Sequence, residues 1–202
     1  MIARPVTVAL KSVLSAAVLF ASLAVLDASW IPLKAGLAQV LLQYSWEQQK
    51  SGENRKPWPW ADTHAIARLQ VPRLGLGQIV LEGSSGRNLA FGPVMSGGSL
   101  KQLDWIINGH RDTHFRFLQQ LQAGDLLQLE TATGLQSFTV TSLEVIDSRK
   151  LDLVVEPGLR RLSLVTCYPF DAVTAGGPLR YVVTALPLQD GTGSNAPAVS
   201  SG

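Results

Sequence analysis

The chain of 202 residues holds one cysteine and three histidines, so any thiol chemistry rests on Cys167 alone. A single cysteine excludes an intramolecular disulfide, a CxxC redox pair and a multi-cysteine zinc site. With so few histidines, no metal and no cofactor is expected. The thiolate is the nucleophile, and a free thiol with a pKa of about 8.5 supplies little of it at neutral pH, so a reactive cysteine needs a base or a cation beside it. His110 is the natural base: it closes the apolar run WIIN and precedes the polar turn RDTH. Arg180 opens the otherwise apolar stretch YVVTA. A guanidinium stays protonated and cannot act as a base, but it can hydrogen-bond a carbonyl or oxyanion and hold an extended substrate. Taken singly, each has an ordinary structural role: a packed thiol, a hydrogen-bonding imidazole, a solvated guanidinium. All three, however, fall at the ends of apolar segments, and that shared placement carries the chemical reading.

The elements that position them are short and strand-like. Segments 65–71, 78–81, 105–108, 125–130, 136–145, 161–166 and 179–186 combine β-branched or apolar residues with glycine-marked turns between them. A helix is expected at about 114–122, with Asp112 or Thr113 as its cap, and a helical turn near 88–91. Cys167 ends the alternating run LSLVT, so it sits at the rim of whatever these strands enclose. The fold class expected is mostly β, a closed and largely antiparallel barrel with one or two short helices. Asp112 and His114 near His110 are assigned to the helix start rather than to a metal site, Arg111 to solvent, and His64 is left without a partner. The formal net charge of +2 and the absence of a basic stripe with interleaved aromatics exclude nucleic-acid binding as a partner class.

Upstream, Arg4 and Lys11 precede the apolar run SVLSAAVLFASLAVL at 12–26. This approaches the ~20 residues that cross a bilayer, and the flanking charges place the N-terminus inside. An uncleaved anchor is preferred to a cleaved signal peptide, because small residues that would suit a cleavage site lie within the apolar run itself. Residues 1–28 are therefore expected to be a cytoplasmic stub and single transmembrane helix in the cytoplasmic membrane. Residues 29–61 follow as a juxtamembrane helix, apolar at Leu33, Leu37, Val40, Leu41 and Tyr44, and a polar linker. The catalytic barrel is expected at 62–188 on the extracytoplasmic or periplasmic side, and 189–202 as a disordered tail.

These residues carry a resemblance. LSLVTCYPF resembles the sortase signature Thr-Leu-x-Thr-Cys, with Ser163 in place of its first threonine. NGHRDTHF resembles the segment around the sortase histidine, and RYVV the strand bearing the sortase arginine. The order His, Cys, Arg and the spacings of 57 and 13 residues also match. The likeness spans roughly residues 62–188, and the extended TCYPF and HRDTHF forms are most similar to the sortases of Gram-negative bacteria, class GN.

The resemblance implies an eight-stranded sortase barrel and a cysteine transpeptidase. By it, Cys167 attacks the Thr–Gly carbonyl of a C-terminal Leu-Pro-x-Thr-Gly-like sorting signal on a target protein, forming a thioester. His110 protonates the leaving amine and deprotonates the incoming one, an amine acceptor on the cell envelope. Arg180 stabilises the oxyanion with help from the Tyr168 N–H, and Thr166 lines the substrate pocket. The segment between residues 145 and 161 would bind the signal, with Leu151, Leu153, Val154 and Val155 as an apolar wall. Two alternatives stay open: a thiol peptidase of the same fold that passes the thioester to water, and a non-catalytic membrane-tethered barrel that binds a partner.

Overall fold

The computed structural model describes residues 36–188, except residues 54, 84, 98–103, 151, 152, 157 and 175. The apolar run at 12–26, Leu151 and the C-terminal tail lie outside the described residues. Among the described residues no helix is long and apolar enough to cross a membrane.

Eight strands, β1 (Ala65–Val71), β2 (Leu76–Glu82), β3 (Val94–Gly97), β4 (Asp104–Asn108), β5 (Leu126–Thr131), β6 (Gly134–Asp147), β7 (Arg161–Cys167) and β8 (Leu179–Pro187), close into a barrel in the order β1-β2-β3-β4-β7-β8-β6-β5. Most neighbours are antiparallel; β2–β3 and β4–β7 run parallel. Period-2 alternation builds the interior. In β5, Leu127, Leu129 and Thr131 are buried and their neighbours half-buried. The core they enter also takes Leu69, Phe138, Leu162, Leu164 and Val183. Strand β7 is buried on both faces, because Val165 joins Ile106 and Val182 in a second apolar cluster on the outside of the barrel.

Four local features differ from the sequence reading. Strand β3 was not expected: VMSG is four residues long, lacks alternation, and pairs with β2 over two positions only. The helix expected at 114–122 is a turn followed by a 3-10 helix, Arg116–Gln120, with no side-chain cap. Phe115, Leu118 and Leu121 are all buried, and their spacing of three matches three residues per turn, where 3.6 would drift. Residues 36–50 do form a helix, α1, but it turns the other face inward. Ala38, Leu42, Ser45 and Trp46 are buried, while Leu37, Val40 and Tyr44 are 58%, 65% and 53% exposed. Helix α1 is apolar on both sides, and the wall of Ala65, Ile79, Leu81 and Val94 takes the side carrying the large Trp46 ring. Burying Leu42 and Trp46 contributes on the order of 2–3 kcal/mol each. The segment expected to be a linker docks as well: Trp58 meets Phe91 edge to face at 4.8 Å, whereas Trp60 is exposed.

The start of the β4–β7 pair is fixed by charge. Asp104, fully buried, stands opposite Arg161 in the ladder and accepts from its Nε at 2.9 Å and its Nη2 at 2.7 Å. Asp104 also accepts from the Glu156 N–H, and Arg161 donates to the Val154 carbonyl, so the pair ties down the segment before β7. Removing one partner of such a buried pair strands the other charge. Asp104→Ala is therefore expected to lower the unfolding free energy by about 3–5 kcal/mol, measured by urea titration; a loss under about 1 kcal/mol would show that the pair is not an anchor.

His114 packs beneath the turn, with Nδ1 3.4 Å from Gln78 Oε1 on β2. Burial holds its pKa below the ordinary imidazole value, against a bond to the Ala90 backbone that raises it. Below pH about 6.5 the unfolded chain takes up a proton at this site that the folded chain refuses, so this contribution is complete above that pH and is lost as the pH falls. The urea midpoint is expected to drop between pH 7 and 5, and the drop to shrink in His114→Gln; equal slopes would exclude the histidine as its source.

Candidate active site

Register brings the three chemical residues together. In the antiparallel β7–β8 ladder Cys167 is directly opposite Arg180. Opposed residues project from one face with Cβ atoms about 4.5–5.5 Å apart, so thiol and guanidinium share a side of the sheet. That side is the outer one, which Val165 and Val182 also face. His110 arrives from β4, whose parallel register with β7 is carried one step past the strand by the Gly109 N–H donating to the Val165 carbonyl at 3.1 Å. His110 and Cys167 then line one cavity of about 240 Å³ with Arg111, Tyr168, Pro169 and Gly177 among its walls. His110 is exposed and Cys167 half-buried, so both reach solvent from that hollow.

The backbone that presents His110 is tightly packed. A Cβ at Gly109 would lie 2.5 Å from the Phe115 ring, so only glycine lets this turn close over that buried phenyl. Phe115 in turn donates its N–H to the His110 carbonyl at 3.0 Å. Thr166, assigned above to a substrate pocket, is buried, and its Oγ1 donates to the Gly109 carbonyl at 2.7 Å. Its hydroxyl holds the histidine turn and faces the interior, as the parity of β7 requires.

The Tyr168 N–H, assigned above to an oxyanion, donates instead to the Leu179 carbonyl at 3.0 Å, extending the β7–β8 ladder. Arg180 donates Nη1 to the carbonyls of Gly177 and Leu179. Among the described residues no carboxylate lies within ion-pair distance of Arg180, and no acceptor meets its Nε or Nη2. The cation nearest the thiol along the ladder is thus partly unspent. Leu153 and Val155 pack against Ile106, Val165 and Val182, the apolar patch on the Cys167 face, while Val154 between them points to solvent.

Two features escaped the sequence. Tyr168, Phe170 and Tyr181 form a three-ring cluster at the barrel end beside Cys167, with Tyr168 stacked on Tyr181 at 6.1 Å and Phe170 edge-on to it at 5.2 Å. The run YPF signals a turn, and Tyr181 joins it only through the β8 pairing. Arg111, expected in solvent, is 9% exposed and reaches residues 58 and 61 positions away. His64 also has a partner, Glu82, at 3.3 Å. Among the described residues no cluster of three or more potential ligands could hold a metal ion.

Comparison with known proteins bears on this geometry. Residues 69–188 match the family model described as the Sortase domain. Sortase D of Bacillus subtilis strain 168 is 26% identical over 147 residues, 69% of this chain and 70% of that protein. Among solved structures, a Clostridium perfringens Sortase D5 transpeptidase matches with a TM-score of 0.60 at 20% identity, over 76% of this chain and 99% of that one. Sortase C1 of Streptococcus agalactiae matches at 0.55 and 22% identity, over 61% and 67%. The structural likeness is one of fold, and these relatives do not single out the Gram-negative class. The matched region runs from within β1 to just past β8 and so contains His110, Cys167 and Arg180 along with the barrel that gathers them: this chain belongs to the sortase family, whose fold is that of a transpeptidase.

Proposed function

We propose that this chain is a membrane-anchored cysteine transpeptidase that cleaves a Leu-Pro-x-Thr-Gly-like sorting signal and passes the acyl part to an amine on the cell envelope. The observation that carries the reading is the direct pairing of Cys167 with Arg180, a cation with no carboxylate partner among the described residues, while Cys167 also lines one cavity with His110. Cys167 attacks the Thr–Gly carbonyl, and the tetrahedral oxyanion takes hydrogen bonds from the unspent donors of Arg180. Collapse expels the glycine amine, which needs a proton from an acid with a pKa near 7; imidazolium is the side chain suited to that. The same imidazole, now neutral, accepts the proton of the incoming amine as it attacks the thioester. With the Tyr168 N–H held in the ladder, oxyanion support in this arrangement falls to Arg180. The extended signal would approach Cys167 on the outer face of the barrel, its Leu-Pro part against Leu153 and Val155, which are partly exposed and cover Ile106, Val165 and Val182. The apolar run at 12–26 would anchor the chain in the cytoplasmic membrane, with the barrel outside.

The test is intact-mass spectrometry of the full chain in detergent, mixed with Leu-Pro-x-Thr-Gly-type peptides. The full chain is needed because a piece starting at residue 53 would lose Leu42 and Trp46 from the packing on β1–β3. An adduct equal to the acyl half of one peptide, absent in Cys167→Ala, is expected, and an added amine should discharge it as the transfer product. Discharge only to water would make the chain a peptidase. No adduct, with Cys167 also inert to iodoacetamide in the folded protein, would leave a binding module.

For the groove, Leu153→Ser with Val155→Ser is expected to raise KM for the reactive peptide about tenfold, since roughly 1.4 kcal/mol of apolar contact is lost, while kcat stays within about twofold. An unchanged KM would move the signal to another face.

A further inference from the structure

Arg111 follows His110 directly, yet both carbonyls it holds are on the cysteine side of the cavity. Nη1 donates to the Pro169 carbonyl at 2.8 Å and Nη2 to the Ala172 carbonyl at 2.9 Å. Nε and Nη2 together hold both oxygens of Asp112, at 2.7 and 2.9 Å. Four of the five guanidinium N–H donors are thereby placed, at 9% exposure, in a planar arrangement that an ammonium cannot copy. Asp112 is largely exposed and accepts from Arg111 alone among the described residues, so its role is to orient the fork. Pro169 and Ala172 belong to the segment that leaves Cys167 and returns to Arg180. Between Tyr168 and Gly177 the described residues of that segment make few backbone hydrogen bonds of their own: the Tyr168 N–H to Leu179 and a long one, 3.4 Å, from Ala172 to Pro169. Arg111, Asp112, Pro169, Ala172 and Gly177 all line the cavity that holds His110 and Cys167. The charge of Arg111 also lies within electrostatic reach of Cys167.

A guanidinium that ties the residue after the histidine to the residues after the cysteine fixes one catalytic segment against the other. We propose that Arg111 is a positioning residue for the reaction, setting the distance and angle between the His110 imidazole and the Cys167 thiol by clamping the Pro169–Ala172 carbonyls, with Asp112 orienting the clamp. It rests on the assignment of Cys167 and His110 as nucleophile and acid–base. Arg111 acts through those two groups and is not itself assigned contact with the substrate. Because Arg111 lines the cavity of His110 and Cys167, whereas Leu153 and Val155 pack on the separate Ile106, Val165 and Val182 cluster, the clamp bears on the chemical step rather than on capture of the signal. A misplacement of about 1 Å in such a pair costs on the order of 100-fold in rate.

The experiment compares wild type, Arg111→Gln, Arg111→Lys and Asp112→Asn as full chains in detergent, with rates expressed per folded molecule from circular dichroism and the urea midpoint. Two readouts are taken: the rate of thioester formation with the reactive peptide, and the rate of Cys167 alkylation by iodoacetamide across pH 5–9, which needs no peptide. Arg111→Gln is expected to slow acylation about 10- to 100-fold with KM within about twofold, and to change the shape of the alkylation profile. Arg111→Lys, which keeps the charge but not the fork, should fail to rescue either, and Asp112→Asn should give a smaller loss in the same direction. A purely structural role would lower the urea midpoint and leave rates per folded molecule within about threefold of wild type, which overturns the proposal; so would full rescue by lysine. Should wild type form no thioester with any peptide, the transpeptidase reading fails on its own, and the alkylation profile still decides the clamp: an unchanged profile in Arg111→Gln overturns it.

Discussion

The arrangement hangs on one parallel ladder. Strands β4 and β7 are separated by more than fifty residues, and their pairing from Asp104–Arg161 to Asn108–Val165 is what sets a histidine beside a cysteine. A parallel ladder is slightly weaker per residue than an antiparallel one, and this one is held at both ends by something stronger. At its start the buried Asp104 carboxylate takes two hydrogen bonds from Arg161. At its finish the Thr166 hydroxyl and the Val165 carbonyl fasten the Gly109 peptide. A slip of one residue would turn Val165 and Cys167 into the barrel and, towards Leu162, set the aspartate against an aliphatic neighbour. Register here is therefore specified by charge and by hydrophobic face together.

Much of the barrel was legible because its strands obey simple alternation. Seven of the eight appeared within a few residues of their observed limits, and the rim position of Cys167 followed from the run before it. The missing strand, β3, has no pattern to read: its four residues are held by neighbours on both sides rather than by their own preference. The helix α1 was legible, but its buried face was not, for a related reason. Leu37, Val40 and Tyr44 form a good apolar stripe, but so do Ala38, Leu42 and Trp46, and only the shape of the wall made by Ile79, Leu81 and Val94 chooses between them.

The site divides the same way. Identity and order of His110, Cys167 and Arg180 are written in local motifs and survive as neighbours in space. What was not legible is where hydrogen bonds go. The Tyr168 N–H and the Thr166 hydroxyl are obligatory donors, and whether each serves a ligand or the fold depends on which carbonyl lies nearest, Leu179 for one and Gly109 for the other. Arg111 shows the limit most clearly: nothing adjacent to it in the chain reports that two carbonyls about sixty residues on will desolvate it. Long side chains with planar donors make their decisive contacts through topology, and topology is the last thing a local pattern reveals.

Helix α1 has a mechanical corollary. Its first buried residue, Ala38, is seated on the outside of the barrel only twelve residues beyond Leu26, where the apolar run ends. Were that run the anchor, as proposed, the barrel would be moored on a leash of at most about 40 Å, and shorter wherever the chain is helical. A domain moored so closely would sweep a thin layer above the bilayer rather than the breadth of the envelope. A target that is itself inserted in the same membrane would be presented to it in two dimensions, at a high local concentration. A freely diffusing target would have to find that layer first.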